Sequence, residues 1–272
     1  MNVKLGCCNF CIPGGGVFAH EFIKEAGLDG MSVDLGYDYE GFPLMSDQLL
    51  AFYAEAGKKY QIQYSNIGCS CFDFIPLAPE VDDPKYVLAQ KCLLSAIHAA
   101  EILQAGVIMV PMFGVSTIET EEQFDRTIEM MQFACDAASA HDIKIGAENV
   151  LPVEKQIEMV NRVNRGNFGL YYDSQNFAYN NGRDQVQVLE ALYDYLVPTI
   201  HVKDGTRQAL SGAILGEGTT NFFGVIDYLK KKKYNGWLIS ENYYNKYPLR
   251  DLSIDPADVF FKDMKILKNA VL

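Results

Sequence analysis

Eight short runs of apolar and β-branched residues recur along this chain, and each is followed by a segment with helical spacing. Short apolar runs bounded by turn residues predict buried strands, and apolar residues at every third or fourth position predict amphipathic helices. The units follow one another at a roughly 30-residue spacing, the length of a strand, a loop and a helix. The predicted strands are 3–8, 30–36, 62–67, 107–113, 143–150, 168–173, 199–203 and 237–241. The predicted helices are 18–26, 46–60, 84–104, one that begins at Thr120, 153–163, 185–196, 221–233 and 256–268.

Eight uninterrupted units of this kind predict an α/β fold, the (β/α)8 or TIM barrel. No linker or shift in composition divides the chain, so we expect a single domain over residues 1–272. A doubly wound open sheet is the alternative, but it rarely needs eight such units, and no G-x-G-x-x-G follows the first strand. Active sites of barrels lie at the carboxyl ends of the strands, so the functional residues are expected there.

The charge balance narrows the classes of partner. Lys and Arg number 23 against 35 Asp and Glu, so the formal net charge is −12. Such a charge repels phosphate backbones and anionic lipid, so neither nucleic acid nor a membrane is an expected partner. The start of the chain has no basic segment followed by an apolar run, and we expect a cytoplasmic protein. Its seven cysteines are then expected to be free thiols.

Four consecutive predicted strands, the fifth to the eighth, end in side chains of the kind that bind metals. They are Glu148, Asp173, His201 and Glu241. One acid at a strand end is ordinary, but four such residues in a row predict one divalent-cation site. A mixed set of carboxylates and one imidazole suits Mn²⁺, Mg²⁺ or Co²⁺ better than a structural zinc, which favours more sulfur and nitrogen.

These residues resemble the sugar isomerase and epimerase family of xylose isomerase-like barrels, which includes ketose 3-epimerases, hydroxypyruvate isomerases and inosose dehydratases. The resemblance implies that the four residues bind one cation, with Mn²⁺ expected and Mg²⁺, Co²⁺ or Zn²⁺ as alternatives. It implies that Glu148 and Glu241 are also the catalytic acid and base. It further implies a sugar substrate, and we expect a homo-oligomer, either a dimer or a tetramer.

Two further positions match the family's spacing. Glu154 lies six residues after the first ligand and Arg207 six residues after the histidine, and the resemblance implies that both hold substrate oxygens. The segment Leu215-Gly216-Glu217-Gly218 and the residues up to Phe222 resemble the family's glycine-rich loop before the seventh helix.

The chemistry of such a site can be stated from first principles. Moving a proton on a carbon beside a ketone needs a base, an acid and stabilisation of the negative charge of an enediolate, which a cation supplies as a Lewis acid. The prediction is a metal-dependent isomerase or epimerase of a small keto-sugar or sugar phosphate. A metal-dependent lyase, such as a dehydratase, is an alternative because the same enediolate can expel a β-hydroxyl. A non-catalytic sugar-binding subunit is the alternative outside enzymes.

Several polar residues near the strand ends have open roles. Many family members carry histidine where this chain has Asn176, and many carry one near Asn66. Both asparagines are expected to hydrogen-bond to the substrate, since an amide donates and accepts but does not carry a proton near neutral pH. Asp34 either contacts the substrate or caps a turn. Lys203 and Asp204 either act directly or form a local ion pair.

The cysteines after the first and third strands pose another alternative. Cys8, Cys11, Cys69 and Cys71 follow strands whose ends share one rim, so they could form a second metal site. Their spacing matches no zinc ribbon or knuckle, and separate buried thiols are favoured.

The remaining histidines argue against a related activity. DNA-repair endonucleases that share this barrel hold three zinc ions through several histidines. Here His20, His98 and His141 fall on predicted helices or at their ends, which leaves His201 alone at a strand end. A packing or surface role is favoured for the other three.

Overall fold

The structure is a computed structural model that describes residues 1–252 and 255–272. Eight parallel strands form a closed barrel in chain order, and the first strand pairs with the last. The predicted (β/α)8 barrel is therefore confirmed. The strands are β1 (Lys4–Cys8), β2 (Gly30–Asp34), β3 (Gln63–Gly68), β4 (Val107–Pro111), β5 (Lys144–Glu148), β6 (Phe168–Asp173), β7 (Leu196–Val202) and β8 (Trp237–Ser240).

Helices follow the strands and cover the outside of the barrel. Within the described residues they are α1 (Ala19–Glu25), α2 (Asp47–Tyr60), α3 (Pro84–Leu103), α4 (Glu121–Ala138), α5 (Val153–Val163), α6 (Asn176–Asn181), α7 (Gln185–Leu192), α8 (Phe222–Lys231) and α9 (Pro256–Val271). Short 3-10 helices lie at Gly16–Phe18, Asp38–Glu40, Pro43–Met45, Ser70–Asp73, Gly114–Ser116, Tyr193–Tyr195 and Leu249–Asp251.

Capping side chains fix where several helices begin. Thr120 precedes α4, and its side chain accepts a hydrogen bond from the backbone of Gln123, whose own side chain returns to the Thr120 backbone. This reciprocal cap satisfies donors that a helix start otherwise leaves unpaired. Asp255 caps α9 by accepting a hydrogen bond from the Ala257 backbone, ahead of Pro256 at the first helical position.

The sixth unit differs most from its sequence prediction. The helix predicted at 185–196 ends at Leu192, a 3-10 turn follows, and β7 then begins at Leu196, earlier than predicted. The short helix α6 was not predicted, because six residues rich in asparagine give too little periodicity. It begins directly after the end of β6 and so lies at the mouth of the barrel.

The longest helix, α3, is apolar enough to resemble a membrane span. By length and composition alone it passes the test for one, and 44% of its most apolar window is buried within the fold. Its buried side includes Ala89, Cys92, Leu93 and Ala96, which belong to the hydrophobic core. Packing against the barrel and neighbouring helices accounts for this buried side of the helix.

Strand register brings the carboxyl ends of β4 to β8 to one level. Pro111 pairs with Glu148, Asp173 with His201, and Val202 with Ser240, the residue before Glu241. Because parallel strands in a barrel all point the same way, these side chains share one rim.

Candidate functional site

Four ligand-type side chains converge at the carboxyl end of the barrel. One ligand atom from each of Glu148, Asp173, His201 and Glu241 lies within 4.8 Å of the others. All four are buried, and their exposed fractions are 5%, 1%, 0% and 7%. Across residues 1–252 and 255–272 no other group of three or more such residues has this arrangement.

Two atoms of this cluster are buried without a hydrogen-bond partner. They are Oδ2 of Asp173 and Nδ1 of His201. The His201 Nδ1 atom lies 3.4 Å from Oε1 of Glu148 and 3.4 Å from Oε2 of Glu241. The contacts of these two atoms come from the charged groups of the cluster itself, since Lys203 Nζ lies 3.2 Å from Asp173 Oδ2 and the two glutamates flank His201 Nδ1. Both atoms are therefore available to a cation. One nitrogen and several carboxylate oxygens are donors that fit a divalent cation.

The other atoms of the ligand side chains are held in place. Oδ1 of Asp173 accepts hydrogen bonds of 2.7 Å from the backbone of Gln175 and of Asn176. Nε2 of His201 lies 3.5 Å from the Cys8 sulfur, and the imidazole packs edge-on against Tyr171 at 4.6 Å. Such outer contacts orient a ligand before a cation arrives.

Lys203 is a fifth member of the cluster. Its Nζ donates to Oε2 of Glu241 at 2.5 Å and lies 3.2 Å from Oδ2 of Asp173. It therefore does not form the local ion pair with Asp204 that the sequence left open. With the imidazole neutral, three carboxylates and one ammonium leave two negative charges, which a divalent cation would neutralise.

The pKa values of the cluster reflect burial and mutual charge. Burial raises the pKa of Asp173 to about 6, although Lys203 acts in the opposite direction. Burial also favours the protonated form of Glu241, but Lys203 and then His201 outweigh it and hold this pKa below its usual range. Burial alone would lower the pKa of His201, but Cys8 and Glu241 keep it above the ordinary value. A cation bound at His201 Nδ1 must therefore displace a proton.

Beneath Glu241 a buried network fixes the end of β8. Asn242 accepts a hydrogen bond from the Asp204 backbone and donates to Oδ2 of Asp263, which also accepts from the Tyr244 hydroxyl. Burial raises the pKa of Asp263 to about 6. This network couples α9 to the ligand-bearing strand, so the position of Glu241 depends on the outer helix layer.

Asp204 organises the glycine-rich loop after β7. Its carboxylate accepts hydrogen bonds from the backbone of Gly216, Gly218 and Thr220 and from the Thr220 hydroxyl. A side chain at Gly218 would place its Cβ 2.1 Å from the Asp204 carboxylate, so glycine is required there. Asp204 is thus a loop anchor rather than a member of the cluster.

A cavity of about 270 Å³ opens above the cluster. This is slightly below the roughly 300–1,000 Å³ of typical small-molecule sites, which suits a compact ligand. A groove between α1 and α2 is larger but lies outside the barrel and holds none of the four ligand residues. The cavity is lined by Phe10, Tyr37, Ser70, Asp73, Met109, Pro111, Phe113, Glu148, Asn176, Tyr179, Asn180, Lys203, Leu210, Glu241, Tyr243 and Lys246.

Of the five predicted substrate contacts, Asn176 lines the cavity and the other four do not. The Asn176 amide donates to Oε1 of Glu148 at 3.2 Å. Asn66 is fully buried inside the barrel, where it donates to Ser32 and accepts from Ser65. Asp34 accepts hydrogen bonds from the Gly36 backbone and from Ser70, so it caps a turn. The expectation that Asn66 and Asp34 contact substrate is not supported by these positions, because internal partners occupy their polar atoms.

Glu154 and Arg207 are also placed away from the cluster. Both side chains are exposed, and neither lines the cavity. Glu154 lies on the first turn of α5, beside Arg183, and the Arg207 guanidinium lies against Gly182 at the end of α6. The spacing matches the family, but the loop paths carry the two side chains outward.

All seven cysteines are free thiols and all are buried, as expected. They do not form the alternative second metal site. Cys8 contacts Cys11 and His201, whereas Cys71 contacts Cys92 of α3. Separate buried pairs are therefore the correct description.

The other histidines have ordinary structural partners. His20 is fully buried and is paired with the Val17 carbonyl and the Tyr64 hydroxyl. His98 pairs with Asp47 and His141 with Glu101 on the helix layer. The packing and surface roles predicted for them fit these contacts.

The sequence predicted neither the place of Lys203 within the cluster nor that of Asp73 at the cavity. A signal for Lys203 existed, because residues two apart on a strand share a face and His201 lies two residues earlier. Asp73 lies in the 3-10 helix after β3, where no periodic pattern fixes the direction of a side chain.

The fold and the cluster together define a (β/α)8 barrel that carries, at the ends of β5 to β8, a set of side chains suited to bind a divalent cation. The chain belongs to the xylose isomerase-like TIM barrel family, whose model matches residues 21–270.

Particular relatives fit this assignment. The chain is 26% identical over 227 residues to a 2-epi-5-epi-valiolone 7-phosphate 2-epimerase from an Actinoplanes species, covering 80% of this chain and 78% of that protein. A D-psicose 3-epimerase from Clostridium cellulolyticum, solved with D-tagatose, superposes with a TM-score of 0.81 at 13% identity over 99% of both chains. The IOLI protein, solved with a zinc atom, superposes with a TM-score of 0.77 at 16% identity over 99% of this chain and 98% of that one.

Proposed function

We propose that this protein is a divalent-metal-dependent isomerase or epimerase of a small keto-sugar or sugar phosphate. The observation that carries the proposal is the convergence of Glu148, Asp173, His201 and Glu241 within 4.8 Å beneath a cavity that two of these carboxylates line. The 26% identity to an enzyme named as a 2-epi-5-epi-valiolone 7-phosphate 2-epimerase supports the same reaction class.

The four residues of the cluster would hold the cation. Mn²⁺ is the proposed ion because three carboxylates and one imidazole form a mostly hard donor set. Mg²⁺, Co²⁺ and Zn²⁺ are accepted by similar donors, and the IOLI protein was solved with zinc. A bound divalent cation supplies a Lewis acid that stabilises negative charge on substrate oxygens and makes a neighbouring C–H bond more acidic.

Glu148 and Glu241 are proposed to move the proton. Both line the cavity, one from the end of β5 and the other directly after β8. One carboxylate removes the proton from the carbon beside the ketone and the other returns a proton, which changes its configuration or moves the carbonyl. Asn176 orients Glu148 by donating to Oε1, and Lys203 orients Glu241 by donating to Oε2. Acid and base groups of this kind contribute about 10²–10⁴ in rate.

The test is solvent isotope exchange with a panel of ketoses and ketose phosphates. Protein reconstituted with Mn²⁺ is incubated in D₂O, and NMR follows deuterium at the carbon beside the ketone together with any new epimer or aldose. Deuterium uptake with epimer or aldose formation supports the proposal. Elimination of water would instead establish a lyase at the same site. Sugar binding without exchange, or a protein that binds no divalent cation, would contradict the proposed reaction.

A further inference from the structure

The acidic residue Asp73 lies on the cavity wall across the barrel from the ligand cluster. It ends the 3-10 helix Ser70–Asp73 that follows β3, and β3 lies diametrically opposite β7 in an eight-stranded barrel. Its atom Oδ1 is buried and has no hydrogen-bond partner within the described parts of the chain. The carboxylate lines the same cavity as Glu148 and Glu241, but it is not a member of the cation cluster.

The segment that carries Asp73 is firmly held on its β2 side. Ser70 donates its hydroxyl to Oδ2 of Asp34 at 2.6 Å and its backbone N–H to the same atom at 3.2 Å. A Cβ at Gly68 would lie 2.5 Å from this oxygen, so glycine lets Asp34 approach. Asp34 therefore acts as a positioning residue for the start of the helix.

The other side of the segment is fixed by the loop after β4. The Ser116 hydroxyl donates to the Phe72 carbonyl at 2.5 Å and accepts from the Leu77 backbone at 2.9 Å. Gly114 has a positive φ of 54°, and a Cβ there would lie 2.2 Å from the Asp73 carbonyl oxygen. With both flanks anchored, the backbone that carries Asp73 is held in place, and its carboxyl group is presented at the cavity from a rigid segment.

A carboxyl oxygen without a donor, carried on a rigid segment, is suited to a ligand that brings a donor. The neighbouring groups on this wall are the Ser70 and Tyr37 hydroxyls, with Tyr179 and Asn180 across the cavity. These neutral polar and aromatic groups suit hydroxylated carbon, and a phosphate beside Asp73 would be repelled. Lys246, the cavity's outer cation, lies over the Tyr243 ring on the β8 side instead.

We propose that Asp73 is a specificity-determining residue that accepts hydrogen bonds from hydroxyl groups at the end of the substrate remote from the cation cluster. The substrate class is then a polyhydroxylated ketone whose remote end, on the β3 side, is neutral. This inference rests on the proposed function only for the identity of the substrate as a sugar.

Two substitutions at the same position test the proposal. Burial raises the pKa of Asp73 to about 7, so the assay is run at pH 8, where the carboxylate is mostly ionised. In Asp73→Ala, KM for the preferred ketose should rise by about tenfold or more, because a hydrogen bond to a charged acceptor is lost. Asp73→Asn keeps a neutral acceptor and should raise KM by a smaller factor. The value of kcat should change by less than about threefold. Asp82→Asn removes an exposed acid from the following loop and serves as the charge-matched control. Ser70→Ala should raise KM in the same direction by a smaller factor.

A second measurement separates this role from a structural one. Asp73→Ala removes an unpartnered buried oxygen, so its Tm should equal or exceed that of the unsubstituted protein, and its Kd for Mn²⁺ should stay within about twofold. Deoxyketoses then identify the hydroxyl, since its removal should weaken binding to the unsubstituted protein but not to Asp73→Ala.

The outcomes distinguish this inference from the proposed function. If the unsubstituted protein exchanges deuterium and Asp73→Ala keeps its KM, the inference is overturned and the reaction stands. If ketoses bind without exchange, and Asp73→Ala weakens that binding, the inference stands and the proposed reaction fails.

Discussion

Strands β5 to β8 and strands β1 to β4 end at the same rim of one barrel, but they carry different chemistry. At or within one residue of their ends, the first group carries Glu148, Asp173, His201 and Glu241, with Lys203 between the carboxylates. The second group ends in Cys8, Asp34, Gly68 and Pro111. Of these last four, only Asp34 is a carboxylic acid, and Ser70 and the Gly36 backbone hydrogen-bond to its oxygens.

The two halves of the barrel thus have different roles: one carries the buried charges, and the other shapes the cavity. Buried charges are stable only when they are paired with one another or with a cation, so they are concentrated on adjacent strands where each supports the next. The other half carries thiols, a turn-capping acid and loops that shape the cavity wall. Its contribution to ligand recognition comes from the Ser70–Asp73 helix instead of from strand ends.

Strands β5 to β8 form the charged half of the barrel, and strands β1 to β4 form the other half. The largest expected effect comes from the acid and base proposed in the charged half. Glu148→Gln and Glu241→Gln should each lower kcat by about 10²–10⁴, because an amide does not exchange protons in this way. Solvent deuterium exchange with the preferred ketose measures the loss. Glu190→Gln, an exposed acid of α7, is the control. Full turnover in either site variant would end the proposed assignment of acid and base.

Removing the buried ammonium should reveal how the charged half is stabilised without metal. Lys203→Met leaves Asp173 and Glu241 without their cation, and breaking a buried ion pair costs about 3–5 kcal/mol. The free energy of unfolding of the metal-free protein, from urea titration, should fall by this amount. Saturating Mn²⁺ should recover more stability in this variant than in the unsubstituted protein, because a divalent cation takes over the neutralisation.

The exposed Lys231→Met on α8 is the matched control and should change stability by less than about 0.5 kcal/mol. Equal stability of Lys203→Met and Lys231→Met would contradict the ion-pair role of Lys203.

Metal binding to the charged half should release protons. His201 has a raised pKa and must lose its proton to offer Nδ1, and Asp173, with a pKa of about 6, must also be ionised. The affinity for Mn²⁺ should therefore fall as the pH falls from 8 to 5, by about tenfold per pH unit for each displaced proton. Calorimetry in two buffers of different ionisation enthalpy counts the protons. A binding heat independent of buffer and an affinity independent of pH would refute this expectation.

The smallest expected effect concerns the thiols of the other half. Cys11→Ser and Cys71→Ser bury a hydroxyl in place of a thiol, which should cost about 1–3 kcal/mol of stability. Both variants should keep the metal content of the unsubstituted protein, as measured by elemental analysis. Cys135→Ser on α4, another buried thiol, provides the comparison. Loss of metal in the first two variants alone would place a second metal site in this half after all.

Much of the fold could be predicted because it rests on local pattern. The strand and helix alternation, the Thr120 cap and the order of the units follow from periodicity and capping chemistry within short windows. Helix α6 and the start of β7 could not be predicted, because a six-residue helix and a 3-10 turn leave no periodic signal. The site followed the same rule. Its residues at strand ends could be predicted from the sequence, and those in loops could not.

The sequence by itself determined which residues stand at the strand ends, and a closed parallel barrel brings all such ends to one rim. Glu148, Asp173, His201 and Glu241 therefore followed from strand position alone. Only the tertiary structure decided that Lys203 lies between two carboxylates, that Asn66 points into the barrel interior and that Asp73 faces the cavity. Those outcomes depend on contacts between residues far apart in the chain, such as Asp34 with Ser70, which no local pattern encodes.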